Sequence, residues 1–226
     1  MTTTTPFRAV FITGATGYMG RRLAALLLAR GHTVRGLVRP GGEHRLPAGA
    51  LPVEGDALHG LSYAAQVSLA DTFVHLVGIA HPSPAKAPEF LRVDLGSVAA
   101  AVPVAVTAGV KHFVYVSVAH PAPVMQAYIA ARTRAEELIR ESGLSTTILR
   151  PWYVLGPGRR WPLVLLPAYW IARAFPPTRD GARRLGLVTI GQMVRALVYA
   201  VESPVRGVRI LEVPLILSPP SLANPA

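Results

Sequence analysis

The residues from Ala9 to Gly20 spell Ala-Val-Phe-Ile-Thr-Gly-Ala-Thr-Gly-Tyr-Met-Gly, and they carry the strongest structural signal in the chain. The apolar run 9–12 predicts a β-strand, the three spaced glycines predict a turn, and the apolar stretch 23–28 predicts a helix. Glycine lets the backbone turn sharply and lets a ligand approach closely, because it has no Cβ. The N-terminus of the following helix attracts anions. Together these elements predict a site for the diphosphate of a dinucleotide.

The composition is that of a single globular domain, with room for a small appendage. The chain has 226 residues, of which 51% are hydrophobic, so a sizeable core is available. It has no cysteine, which excludes disulfides, a thiol nucleophile and thiolate metal ligands. No pair among the seven histidines has the helix spacing of metal ligands, and no carboxylate joins such a pair, so we expect no metal site. The N-terminal residues lack the pattern of a signal peptide, and we expect a cytoplasmic protein.

The formal net charge of +11 raises the question of nucleic-acid binding. The arginines are dispersed along the chain, and no aromatic residues alternate with them to form a stacking platform. We therefore expect no nucleic-acid partner. The phosphates of a cofactor account for part of the charge.

Alternating elements over residues 7–150 predict a doubly wound α/β domain with a parallel sheet. The predicted strands are 9–12, 34–38, 50–53, 72–77, 112–117 and 145–149, and the helices between them include 58–68, 89–108 and 124–142. The amino-acid composition changes after Pro151, where tryptophans and prolines become frequent. We interpret 151–213 as a small substrate-facing part that is not an independent domain, with strands at 185–189 and 208–213 around a helix at 190–202. Residues 214–226 are expected to form a tail.

Several ordered motifs extend the glycine pattern, and with them residues 7–213 resemble the short-chain dehydrogenase/reductase superfamily. The motifs are Thr13-Gly14-xx-Gly17-xx-Gly20, Leu37-Val38-Arg39-Pro40, Gly55-Asp56-Ala57, His75-Leu76-Val77-Gly78, Tyr115-Val116-Ser117, Tyr128-xxx-Arg132 and Arg150-Pro151-xx-Val154-xx-Pro157. The chain is most similar to the extended and atypical branches, which include NAD-dependent epimerase/dehydratase-like and NmrA-like proteins. The resemblance implies a Rossmann fold that binds NAD or NADP.

The resemblance also implies where the cofactor contacts the chain. The diphosphate would lie on Gly14, Ala15, Thr16, Gly17, Tyr18, Met19 and Gly20. The adenine would meet Asp56 and Ala57, the ribose would lie beside Leu76, Val77 and Gly78, and the nicotinamide would lie beside Pro151, Trp152 and Tyr153. Asp56 is alternatively a turn aspartate that bonds its own backbone.

Arg39 bears on whether the chain prefers NADP or NAD as its cofactor. An acidic residue at the end of the second strand would bond a free 2′-hydroxyl and favour NAD, whereas a guanidinium can grip a 2′-phosphate with two hydrogen bonds. We therefore expect NADP, with NAD possible. A solvated arginine is the alternative.

Ser117, Tyr128 and Arg132 are the catalytic candidates that the resemblance implies. In the family, a tyrosine hydroxyl exchanges a proton with the substrate oxygen, a serine orients that oxygen, and a lysine four residues after the tyrosine supplies a positive charge. The i, i+4 spacing places Tyr128 and Arg132 on one helix face. A free phenol titrates at about pH 10, so a nearby cation helps it to act near neutrality. Here arginine replaces the lysine, and Val118 follows Ser117 where a second small polar residue is usual.

The substrate side is the least defined. His81 and His120 follow predicted strands and are candidates for substrate contact, as are Trp152 and Trp161, although both histidines are alternatively solvated loop residues. Three interpretations of the apolar segment 161–175 are open. It forms part of the core of the C-terminal part, it covers an apolar substrate such as a quinone or isoprenoid, or it makes a peripheral contact with a membrane or a partner. It is too short and proline-broken to span a bilayer.

Two functions follow from these patterns. The first is an NADP(H)-dependent oxidoreductase, or an epimerase/dehydratase-like enzyme, that acts on a small apolar substrate. The second is a cofactor-binding protein without turnover, which serves as a redox sensor or as an accessory or assembly subunit. The sequence leaves monomer and homodimer equally open.

Overall fold

A computed structural model describes residues 7–80, 82–158 and 185–220, and its centre is a parallel sheet of seven strands. The strand order is β3-β2-β1-β4-β5-β6-β9, and every pairing between neighbours is parallel. The strands are β1 (Ala9–Thr13), β2 (Thr33–Val38), β3 (Leu51–Glu54), β4 (Thr72–His75), β5 (His112–Val116), β6 (Thr146–Arg150) and β9 (Val208–Glu212). The predicted doubly wound α/β class is confirmed.

The order of the strands reverses beside β1, since β2 lies on one side of it and β4 on the other. At such a switch point the loops after neighbouring strands leave toward opposite faces, which opens a crevice at the carboxyl ends of the strands. The glycine turn follows β1 directly, so the sequence that predicts anion binding lies at this crevice.

Two apolar clusters cover the two faces of the sheet. On one face α1 (Gly20–Ala29) and α6 (Ile190–Glu202) pack with buried residues such as Leu23, Val74 and Leu197. On the other face the helices after β4 and β5 pack over Phe11, Phe73 and further buried residues. Because both faces of the central strands are covered, those strands are buried along most of their length and are mainly apolar.

The crossover from β4 to β5 is one continuous helix from Pro84 to Thr107. It contains α3 (Ala87–Glu89), a π-helical segment at Phe90–Leu95, and α4 (Gly96–Thr107). Among the described residues it is the one helix long and apolar enough to cross a membrane by length and composition, and 44% of the tested window is buried in the fold. A helix in the core of a folded domain passes the same test of length and composition, because its apolar face packs on a sheet. The crossover from β5 to β6 is α5 (Gln126–Glu141).

The predicted helix 58–68 is shorter in the structure. A 3₁₀ turn at Gly60–Ser62 precedes α2 (Ala64–Val67), because a bend at Tyr63 interrupts the helical backbone. Strand β4 ends at His75 instead of Val77, since the following residues leave the sheet toward the crevice.

The C-terminal part contains a second sheet that the sequence pattern did not indicate. Strand β7 (Tyr153–Leu155) pairs in parallel with β8 (Leu187–Thr189), and α6 then begins at a capping box formed by Thr189 and Gln192. Strand β9 returns to the main sheet beside β6, so the C-terminal part completes the central sheet. A short helix, α7 (Val213–Leu217), occupies part of the predicted tail because Val213 and Ile216 bury their side chains in the core. The apolar segment 161–175 lies outside the described residues.

Candidate active site

A cavity of about 440 Å³ lies at the carboxyl edge of the sheet, where the strand order reverses. The glycine turn forms one wall, α5 and the end of β5 form a second, and the loop after β6 forms a third. The predicted site residues that line the cavity are Gly14, Gly17, Tyr18, Met19, Gly20, Leu76, Gly78, Ser117, Tyr128, Arg132, Pro151, Trp152 and Tyr153. One space therefore collects the diphosphate turn, the catalytic candidates and the expected nicotinamide wall.

The glycine turn has no room for larger side chains. Gly14 adopts a φ of 74°, and a Cβ there would lie 2.9 Å from the Leu76 carbonyl carbon. A Cβ on Gly20 would overlap the carbonyl oxygen of Gly14, and the Gly17 N–H donates to that same oxygen at 3.0 Å. The turn is therefore a compact backbone cradle at the N-terminal end of α1, and this shape fits a diphosphate.

Two members of the turn point elsewhere. Ala15 is buried in the core, and Thr16 offers its carbonyl oxygen to Arg45 Nη2 at 3.4 Å. Neither lines the cavity. Arg45 is a residue that the sequence reasoning missed. It brings a second guanidinium to the glycine turn, in the loop that also carries Arg39.

The adenine-side candidates lie outside the cavity. Arg39 is exposed just after β2, as expected for a residue that reads a 2′-substituent. Asp56 accepts a hydrogen bond from the Leu58 N–H at 2.9 Å, so it has the geometry of a turn aspartate, which was the alternative interpretation. Ala57 packs against the apolar cluster that contains Phe73. The Val77 carbonyl oxygen lies 3.4 Å from Arg132 Nη2 and faces that side chain.

Tyr128 and Arg132 lie one turn apart on α5 and face the cavity together. The Arg132 guanidinium carbon lies 5.3 Å from the centre of the Tyr128 ring. On its other side, Tyr128 packs edge-on against Phe90, with 5.0 Å between ring centres. The tyrosine is thus held between a cation and an aromatic ring.

Arg132 is buried, and its guanidinium is held by a set of protein acceptors. Its Nη2 is 2.5 Å from Asp94 Oδ1, and its Nη1 donates to the Val116 carbonyl oxygen at 2.8 Å and to the Tyr115 hydroxyl at 3.2 Å. Burial raises the pKa of Tyr115 to about 12, so this hydroxyl stays neutral. Burial also raises the pKa of Asp94, and the charge of Arg132 opposes that shift. The arginine is fixed by the fold before any ligand binds.

The π-helical segment contacts both members of the candidate catalytic pair, Tyr128 and Arg132. Phe90 and Asp94 are four residues apart on Phe90–Leu95, and they contact Tyr128 and Arg132, which are also four residues apart. Gly78 completes the arrangement, because a Cβ there would overlap Arg132 Nη2 and lie 2.8 Å from Asp94 Oδ1. π-Helical turns occur frequently at functional sites. Asp94 is one of two carboxylates in this largely apolar helix, with Glu89, and a carboxylate that is buried in such a helix needs a partner.

His120 does not line the cavity, contrary to the expected substrate contact. Its Nε2 lies 3.6 Å from Oε1 of Glu136, a buried carboxylate on α5. Although burial alone would raise the pKa of Glu136, hydrogen bonds from Arg150 help to hold it below its ordinary value. His120 therefore lies beside a buried carboxylate that also pairs with Arg140 and Arg150. His81 and Trp161 lie outside the described residues.

The remaining cavity wall is apolar. Val118 and Ile129 form a small cluster with Tyr128 and Trp152. Val118 occupies the position after Ser117, so the side chain that packs near Tyr128 is a hydrocarbon. Within residues 7–80, 82–158 and 185–220, no group of three potential ligands could hold a metal ion.

The fold, the backbone cradle and the cavity beside it define a nucleotide-binding α/β protein. The family model described as NAD(P)H-binding matches residues 14–160. The chain therefore belongs to this NAD(P)H-binding family, as the sequence motifs indicated.

Three similar proteins place it further. The chain is 30% identical over 207 residues to a ceramide reductase of Caulobacter vibrioides. This alignment covers 88% of this chain and 62% of the reductase. The chain is 27% identical over 168 residues to 4-hydroxy-2-methyl-3-oxo-4-farnesyl-3,4-dihydroquinoline-1-oxide ketoreductase of Stigmatella aurantiaca, with 65% of this chain and 50% of the relative covered. The matches thus span only half to three fifths of these relatives. The enzyme WbmH of Bordetella bronchiseptica, solved with NAD⁺, superposes with a TM-score of 0.68 at 22% identity, covering 97% of this chain and 85% of WbmH.

Proposed function

We propose that this chain is an NADPH-dependent ketoreductase that reduces a carbonyl group carried on an apolar substrate. The observation that carries the proposal is the single cavity in which the backbone cradle, Tyr128 and the hydrocarbon wall around Val118 meet. The names of the two curated relatives, a reductase of a ceramide and a ketoreductase of a farnesyl-bearing compound, support a substrate of this class.

The chemistry follows from the residues at the cavity. Bound NADPH supplies a hydride, which carries two electrons to the carbonyl carbon. Tyr128 donates its phenolic proton to the carbonyl oxygen, so the C=O bond becomes a CH–OH group and the tyrosine regains a proton from water. Arg132 stabilises the phenolate that forms, because its guanidinium faces the ring at 5.3 Å. Trp152 and Val118 keep water from that side and pack against the hydrocarbon part of the substrate.

The preference for NADPH rests on Arg39, with Arg45 as a second cation near the glycine turn. Both guanidinium groups are suited to a 2′-phosphate. NAD remains the alternative cofactor.

A second candidate function is nucleotide binding without turnover, as in a redox sensor or accessory subunit. Two observations favour it. The Arg132 guanidinium is committed to Asp94 and backbone carbonyl oxygens, and Val118 places a hydrocarbon where the family usually has a polar side chain. These features position the catalytic pair rigidly, but they also reduce its polar contacts with a substrate.

The deciding experiment measures NADPH binding and NADPH oxidation separately. Quenching of tryptophan fluorescence reports binding, and absorbance reports oxidation in the presence of methyl ketones of increasing chain length. We expect faster oxidation with the longer ketones, and we expect Tyr128→Phe to lower kcat by about 10²-fold or more without weakening NADPH binding.

Tyr199→Phe is the matched control, because Tyr199 lies on α6 and does not line the cavity. Binding of NADPH without oxidation of any ketone would favour the second candidate. Turnover that Tyr128→Phe leaves unchanged would refute the role of the tyrosine.

A further inference from the structure

A contact between Tyr18 and Gly156 connects the glycine turn to the second sheet. Tyr18 belongs to the turn before α1, and Gly156 follows the last residue of β7. A Cβ on Gly156 would overlap the hydroxyl oxygen of Tyr18 and would lie 3.2 Å from Tyr18 Cζ. It would also lie 2.9 Å from Cγ2 of Ile190, the first residue of α6. The hydroxyl end of Tyr18 therefore occupies the space that a side chain at Gly156 would need.

Gly156 is needed for space and not for backbone freedom. The described glycines with positive φ include Gly14 and Gly158, whereas Gly156 is not among them. Alanine would adopt its backbone conformation, but the added methyl group would collide with Tyr18 and Ile190. The close approach is thus a property of the pair formed by Tyr18 and Gly156.

Tyr18 is held from the cofactor side by α1. Arg22 Nη1 donates to the Tyr18 carbonyl oxygen at 2.7 Å, and the Arg22 guanidinium carbon lies 4.4 Å from the centre of the Tyr18 ring. Since Arg22 is in the first turn of α1, these contacts tie the tyrosine ring to the N-terminal end of that helix. Tyr18 lines the cavity, and so does Val154, which lies on β7 two residues before Gly156.

We propose that Tyr18 is a positioning residue that couples nucleotide binding at the glycine turn to the β7–β8 sheet. Binding of the diphosphate fixes the turn, the fixed turn holds the phenol over Gly156, and the phenol holds the end of β7. The wall that contains Tyr153 and Val154 is thereby set in place for the second ligand. This inference rests on NAD(P)H binding alone and is independent of the proposed ketone reduction.

The test uses ADP-ribose, which carries the diphosphate but lacks nicotinamide and so cannot reach the nicotinamide wall directly. Hydrogen–deuterium exchange is followed at β7 (Tyr153–Leu155) and β8 (Leu187–Thr189) with and without ADP-ribose. We expect ADP-ribose to slow exchange in both strands of the unmodified protein. In Tyr18→Ala the protection of these strands is lost even at concentrations that saturate the glycine turn.

A double-mutant comparison separates coupling from simple destabilisation. Gly156→Ala is expected to weaken ADP-ribose about tenfold, equivalent to about 1.4 kcal/mol, because the methyl group displaces Tyr18 and its turn. Tyr18→Phe removes the overlapping oxygen, so the double variant regains part of the affinity and the protection, and the remaining loss corresponds to the 2.9 Å approach to Ile190 Cγ2. Gly191→Ala is the matched control, since the atom nearest to its Cβ is an arginine side-chain nitrogen at 3.6 Å.

Three results would overturn the proposal. They are unchanged affinity in Gly156→Ala, failure of Tyr18→Phe to rescue it, and equal protection of β7 and β8 in Tyr18→Ala and the unmodified protein. If Gly156→Ala does not fold, the exchange experiment on Tyr18→Ala decides the matter alone. Loss of ketone reduction with intact protection would count against the proposed function and leave the coupling standing.

Discussion

The ion pair between Asp94 and Arg132 allows a direct test of how the catalytic helix is held. Both side chains are buried, and Asp94 Oδ1 lies 2.5 Å from Arg132 Nη2. Replacing Asp94 with alanine removes the carboxylate but leaves the guanidinium in the interior. The arginine keeps its hydrogen bonds to Val116 and Tyr115, but no negative charge remains beside it.

The expected loss of stability is large, because breaking a buried pair leaves an uncompensated charge. Removal of one partner of such a pair costs about 3–5 kcal/mol, compared with about 5–15 kcal/mol for the whole stability of a typical domain. For a domain of this length, the change corresponds to a decrease in Tm of roughly 10 °C. Asp94→Asn keeps an oxygen acceptor without the charge, so we expect it to fall between alanine and the natural residue.

Urea denaturation followed by circular dichroism measures the free energy of unfolding. Glu137→Ala is the matched control, because Glu137 also pairs with an arginine of α5, Arg134, at 2.9 Å, but on the exposed face. An exposed pair contributes about 0–1 kcal/mol, so the control should change stability little. A loss below about 1 kcal/mol for Asp94→Ala, equal to that of Glu137→Ala, would refute the claim that this pair holds Arg132 in place.

Three further predictions concern pH, the glycine turn and cofactor choice. Burial lowers the pKa of His75 to about 3, so below pH 6.5 the unfolded chain binds a proton that the folded protein does not, and stability falls with acidification. In urea titrations between pH 6.5 and 4, His75→Gln should reduce the slope of the free energy of unfolding against pH by about 1.4 kcal/mol per pH unit. An unchanged slope would contradict this. Gly20→Ala should abolish NADPH-induced fluorescence quenching, because its Cβ would overlap the Gly14 carbonyl oxygen, while Gly191→Ala retains it. Arg39→Ala should weaken NADPH about tenfold and leave NADH unchanged, and an equal loss for both nucleotides would rule out the phosphate contact.

The sheet was predictable because its signals are local. Each central strand is a short apolar run, and the glycine turn after β1 places the ligand site at one edge without knowledge of distant contacts. The pairing of Tyr128 with Arg132 on one helix face also follows from spacing alone. These parts of the fold and site depend on neighbours within a few residues.

The missed features depend on partners that are far apart in the sequence. Asp94 and Arg132 are separated by 38 residues, and nothing near either one indicates the pair. A π-helical segment has the same apolar pattern as an ordinary helix, so Phe90–Leu95 was predicted only as part of a helix. Strand β8 lies within the predicted strand 185–189, but β7, with three residues, and its pairing with β8 were not predicted. His120 follows a strand, as predicted, but it lies beside the buried Glu136 and does not line the cavity.

The position of β9 has a consequence for how this chain emerges from the ribosome. Strand β6 ends at Arg150, and its neighbour β9 begins only at Val208. At roughly 5–20 residues per second, the open side of β6 waits about 3–12 seconds for its partner. During that interval a row of main-chain donors and acceptors is available to any other extended segment. Newly made chains are therefore most prone to misassembly between the synthesis of β6 and that of β9, and a chaperone that shields strands during this interval should raise the yield of folded protein.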